Sequence, residues 1–188
     1  MIDFTITFHG PFHVATGVPS AGIDSPTETS VPLPATSLKG LMRAEARDRL
    51  GIDDAYVDAI FGRSTEDRNG SPRRSTSAVW AWTDATVDSP KVTPYARIKV
   101  DEHGLTERGF LRFGTEVWAL TATFHVEPLV ALEPEVRDRH RLVLRAAARS
   151  VSSLGGDRRR GSGWVSIQDS SPWVAEDSLV LMTMRGTS

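Results

Sequence analysis

Leu154-Gly155-Gly156-Asp157-Arg158-Arg159-Arg160-Gly161-Ser162-Gly163-Trp164-Val165 stands between a helical pattern and a strand pattern. Upstream, Pro134 opens a helix predicted to run over residues 134–153. Its inner face carries Val136, His140, Val143, Leu144, Ala147, Val151 and Leu154. Arg137, Arg141, Arg145 and Arg149 form a stripe at every fourth position, a pattern that most often marks a solvated face. Gly155 and Gly156 end the helix. Downstream, residues 163–168 read as a strand, and residues 178–184 as one more.

Working outward, Ile2, Phe4, Ile6 and Phe8 alternate with Asp3, Thr5 and Thr7, the period of a half-buried strand. A Gly/Pro/Ser/Thr-rich stretch, residues 17–34, is too long for a simple turn. A helix is predicted over residues 37–50, capped by Thr36 or Ser37 and stopped at Gly51. Leu38, Leu41, Met42, Ala46 and Leu50 share one face; Lys39, Arg43 and Arg47 share another. Residues 53–61 form a second, short helix ending at Gly62, and residues 64–77 a polar loop. Residues 78–83 and 116–126 read as strands, the latter with Trp118, Leu120, Ala122, Phe124 and Val126 alternating. Between them, residues 91–115 hold Glu102-His103-Gly104, a hairpin tip. The order is β-α-β-β-α-β with insertions. That predicts an α+β, ferredoxin-like (RRM-like) fold, with the long loops and the hairpin inserted into its core. Such a fold hosts many functions and decides none of them.

The chain has 188 residues, of which 39% are apolar, enough for one domain spanning residues 1–188 with its own core. There is no cysteine, so disulfides and thiolate chemistry are excluded. The first residues carry no basic leader or apolar segment, and no stretch is long enough to span a bilayer, so a cytoplasmic protein is expected. The formal net charge is -2, but residues 137–160 hold eight arginines against Asp138 and Asp157. A local basic face is what phosphate binding needs.

Within residues 155–163, four glycines flank three arginines. Glycine lets a backbone approach a phosphate and turn its N–H groups toward it; arginine adds charge and bidentate hydrogen bonds. The bland alternative is a capped helix followed by a solvated basic turn. A second feature is Leu33-Pro34-Ala35-Thr36-Ser37-Leu38-Lys39-Gly40, where free N–H groups, the helix dipole and Lys39 can hold a phosphate. Gly40 costs about 1 kcal/mol relative to alanine inside a helix, which close approach of another backbone would explain.

Ser37-Leu38-Lys39-Gly40, the late loop of Gly155-Gly156 to Gly163, Gly22-Ile23-Asp24-Ser25-Pro26 and Ile60-Phe61-Gly62 together resemble the RAMP superfamily of CRISPR-associated proteins. In particular they resemble the backbone subunit of type III effector complexes, over residues 4–167. The resemblance implies a subunit that polymerises with copies of itself along a guide RNA (crRNA), beside the other type III subunits and a paired target RNA. It implies RNA contacts from Ser37, Lys39, Gly40, Arg43, Arg47, Gly155, Gly156, Arg158, Arg159, Arg160, Gly161 and Gly163. It places a thumb hairpin within residues 91–115. It implies that Asp24 supports cleavage of the target RNA with Mg²⁺ or another divalent cation. Ala35-Thr36 departs from the family's usual Gly-Ser.

The chemistry is compatible with that role. RNA supplies its own nucleophile, the 2′-hydroxyl, and one carboxylate can hold Mg²⁺ near a phosphate or orient the hydroxyl. On residues alone, Asp24 reads as a turn or capping residue, and only the resemblance favours the catalytic role. Two other functions stay open: a purely structural RNA-binding subunit, and a stand-alone repeat-processing endonuclease using His9 or His13, although both read more readily as strand-end histidines with satisfied hydrogen bonds. His125 and His140 read as structural. Trp80, Trp82, Trp118 and Trp164 read as packing on the sheet, with stacking on bases the less supported alternative.

Overall fold

A computed structural model describes residues 1–15, 27, 30–63, 74–100, 103, 106–156 and 161–186. Asp24, the loop arginines Arg158, Arg159 and Arg160, and most of residues 17–34 and 64–77 lie outside the described residues.

The alternation at the start of the chain becomes strand β1 (Ile2–Phe8), with its even-numbered residues buried. Helix α1 (Ala35–Ala44) runs into a five-residue π-helical segment, Glu45–Arg49. It begins two residues earlier than predicted. Neither Thr36 nor Ser37 caps it; the Asp84 carboxylate accepts the Ala35 N–H at 2.7 Å instead. Helix α2 (Asp54–Phe61) follows, capped by the Asp53 side chain. Strands β2 (Trp80–Trp82) and β3 (Thr86–Val87) lead into a long two-stranded ribbon, β4 (Lys91–Val100) and β5 (Thr106–Trp118).

The alternation over residues 116–126 proves to be two strands. β5 ends at Trp118, and β6 (Thr121–Pro128) starts after a break at Ala119 and Leu120. Helix α3 (Pro134–Ser150) stops short of residue 153; Val151 is already extended, and Ser153 bridges Trp164. The Leu154 N–H donates to the Gly163 carbonyl, and the Val165 N–H to the Ser152 carbonyl. Strand β7 (Val165–Asp169) comes next. The segment expected as a last strand is helix α4 (Ala175–Met182).

The main sheet is antiparallel in the order β2-β6-β1-β7, with β3 also on β6; β4 and β5 form a sheet of their own. One face of the main sheet buries Phe4, Ile6, Phe124, Val126 and Ile167 beneath Leu38, Met42, Val143 and Ala147 of the helices. Of the inner face read for α3, His140, Val143, Leu144 and Ala147 are buried on the helix, Val151 and Leu154 are buried beyond its end, and Val136 is exposed. The β4–β5 ribbon joins this body at its base, where Phe12 bridges Val117.

Candidate nucleic-acid interface

The glycine-rich loop closes at its base by hydrogen bonds to the segment that leaves β1. The Gly156 N–H donates to the His13 carbonyl, and the Gly163 N–H to the Pro11 carbonyl, each at 2.7 Å. Gly155 and Gly163 both have φ near +78°. A Cβ on Gly155 would overlap the His13 carbonyl, and one on Gly163 the Leu154 carbonyl. These two glycines serve close packing of the chain on itself. Gly161 differs: its φ is +84°, and nothing stands within 4 Å of where a side chain would begin.

The same point of the molecule ties in two further segments. His13 is buried, and its Nδ1 lies 2.7 Å from the Thr115 carbonyl at the base of the ribbon. A carbonyl only accepts, so Nδ1 carries the proton. Thr27 Oγ1 also donates to that carbonyl, and the Thr27 N–H donates to Thr115 Oγ1 at 2.8 Å. Thr27 also bridges Ala15. The loop base, the ribbon base and Thr27 therefore meet on His13. His13 is thus the hydrogen-bonded structural histidine the sequence favours, whereas its joining of three segments has no distinguishing pattern between Phe12 and Val14. Its burial also separates it from any solvent-borne phosphate, against its use in stand-alone cleavage. His9 is exposed, with Nε2 2.7 Å from Ser166 Oγ.

The α1 face is more occupied than its sequence suggested. Lys39 Nζ lies 5.4 Å from the centre of the Trp82 ring, which stacks in turn on Phe61. Burial and then the neighbouring Arg43 charge lower the Lys39 pKa from its ordinary value. Arg43 is 3.7 Å from Asp58, and Arg47 pairs with Asp48. Asp84 already caps the helix N-terminus. Gly40 is exposed, with nothing within 4 Å of its Cβ position, so no close approach among the described residues accounts for it. Ser37 is half-buried beside it.

The arginine stripe on α3 is not simply solvated. Arg145 and Arg149 both bond the Asp169 carboxylate, at 2.8 and 2.9 Å, and that side chain is only 3% exposed. Two of the tryptophans also depart from expectation. Trp80 is buried and Trp82 half-buried, but Trp118 is 47% exposed and Trp164 58%. Among the described residues, no three His, Cys, Asp or Glu side chains cluster as metal ligands, and no helix is long and apolar enough to cross a membrane.

A family model described as the RAMP superfamily matches residues 5–166. No curated protein matches the sequence. Among solved structures, the chain is similar to one in the type III-B Cmr-β complex in its apo state. The TM-score is 0.67 at 12% identity, covering 90% of this chain and 97% of that one. A chain of the Cmr-β complex bound to cognate target RNA is similar to the same degree, with a TM-score of 0.68 at 12% identity over 89% and 96% of the two chains. At that identity the likeness is one of fold.

Proposed function

Because the chain belongs to the RAMP superfamily, we propose that it is a guide-RNA-binding subunit of a type III CRISPR effector complex that lines the crRNA with copies of itself. The observation that carries this reading is the glycine-rich loop, locked by Gly155 and Gly163 onto the exit of β1, with Gly161 left open. A loop fixed at both ends can present Arg158, Arg159 and Arg160 to a phosphate backbone without ordering its own base on binding. The strand order β2-β6-β1-β7 under two helices supports a ferredoxin-like core, and the β4–β5 ribbon supports a thumb. Ser37, Lys39, Gly40, Arg43 and Arg47 are a second contact, in which a phosphate competes with Trp82, Asp58 and Asp48 for the cations.

The finer reading adds cleavage of the paired target RNA by Asp24. Support comes from Thr27, three residues further along the chain, which is held at the junction of the loop and ribbon bases. Mg²⁺ there would be held by Asp24 and would draw its remaining ligands from RNA phosphate and water. It would neutralise charge developing on the phosphate. The protein's own part is to hold the backbone splayed, so that the 2′-hydroxyl lines up with the adjacent phosphate.

The test is to express the tagged protein with its neighbouring genes and a repeat array and to sequence the RNA that co-purifies. Discrete guide-length RNAs bearing repeat sequence are expected. No bound RNA at low salt with the partners present overturns the reading. In the assembled complex, Asp24→Ala should abolish target cleavage and keep the guide. Equal cleavage by variant and wild type leaves a structural RNA-binding subunit.

A further inference from the structure

Among the described residues, no helix covers the second face of the main sheet. On β7, Val165 and Ile167 are buried, whereas Ser166 and Gln168 are exposed, as is Trp164 just before the strand. Alternation therefore puts Trp164, Ser166 and Gln168 on the bare face. His9 follows buried Phe8 on the neighbouring strand and bonds Ser166, which places its ring on the same face.

Trp164 is an unusual residue to leave there. The residue is 58% exposed, yet the backbone at Gly163 and Trp164 is held at three points. Its carbonyl accepts the His9 N–H at 2.8 Å, Ser153 bridges it, and the Gly163 N–H before it donates to the Pro11 carbonyl. Burying a tryptophan is strongly favourable, so a fixed, exposed one is a cost to the isolated chain. The residue directly follows the glycine-rich loop with its three arginines. A π-face beside phosphate-binding charge is the arrangement that takes a base of single-stranded nucleic acid.

We infer that Trp164 is a base-stacking site: an unpaired nucleobase of the RNA held at the glycine-rich loop stacks on its indole, with His9 and Ser166 within reach of the base edge. The inference rests on the RNA-binding reading above, and it extends the interface from the loop onto the open sheet face. Ring and base meet by face-to-face overlap, so the site tolerates every base and adds affinity without sequence readout.

The experiment measures binding of the full chain to two labelled strands of about twelve nucleotides, one of uridines and one an abasic ribose-phosphate strand of equal charge. Wild type should prefer the uridine strand. Trp164→Ala should lose roughly five- to hundred-fold affinity for it and none for the abasic strand. Trp164→Phe should recover most of the loss. Equal loss on both strands, or none on either, overturns the inference. Replacing Arg158, Arg159 and Arg160 together by alanine should weaken both strands alike. If it does so while Trp164→Ala changes nothing, the RNA-binding reading stands and the stacking site falls. If wild type binds neither strand, both fall. If Trp164→Ala disperses self-association of the RNA-free protein in sedimentation, the indole is a contact between copies, and the inference is overturned.

Discussion

Trp80 reaches from the sheet into α3 and donates its indole N–H to His140 Nδ1 at 3.2 Å. That bond needs a neutral imidazole with its proton on Nε2. Burial works in the same direction and lowers the His140 pKa from 6.5. The folded chain thus binds this proton less readily than the unfolded one. The contribution is complete above the unfolded value and is lost as pH falls from about 6.5 through the lowered folded value. The thermal midpoint should therefore drop between about pH 7.5 and 5.5. His140→Asn places an accepting oxygen near the Nδ1 position and does not titrate, so its midpoint should vary less over that range. A variant with the wild-type slope would show that another group is responsible.

Among the elements, α3, β7 and α4 are fastened by two carboxylates that meet on Arg145. Asp169, at the end of β7, accepts from Arg145 and Arg149 of α3, and Arg145 also reaches Asp177 of α4 at 3.4 Å. Burial alone would raise the Asp169 pKa; the Arg145 charge, with the bonds from both arginines, outweighs it and holds the group below its ordinary value. Asp169→Asn leaves two half-buried cations facing a neutral amide. Urea denaturation should show a loss of about 3–5 kcal/mol; a loss below about 1 kcal/mol would mean that the pair acts as an exposed one does. The periodicity of α3 and the alternation of β1 were legible because each has a single buried face. The end of the chain was not: Leu179, Val180 and Met182 are exposed in α4, so no inner face marks the helical period. Over residues 116–126 the alternation continued unbroken through a change of sheet, which period alone does not register. At the candidate site, the glycines and arginines could be read locally. The Asp84 cap and the His13 junction join residues far apart in sequence, and only the folded register brings them together.

At the scale of the molecule, the β4–β5 ribbon is an appendage. Ile98, Leu111 and Phe113 are exposed on it, and the buried core resumes only at Val117. Replacing residues 96–113 with a short turn should move the thermal midpoint by no more than about 3 °C. The same deletion should impair assembly along RNA if the ribbon is a thumb. A collapse of the midpoint would show instead that the body depends on the ribbon. The loop on the far side of that junction carries a different lesson. Gly155 and Gly163 press against carbonyls of their own chain, so folding alone is enough to retain them. The three arginines between them serve RNA on this reading. In a lineage whose copy abandons RNA, drift should therefore erase the arginines first and leave the glycines standing. A motif search weighted toward the glycines recovers ancestry; one weighted toward the arginines recovers occupation.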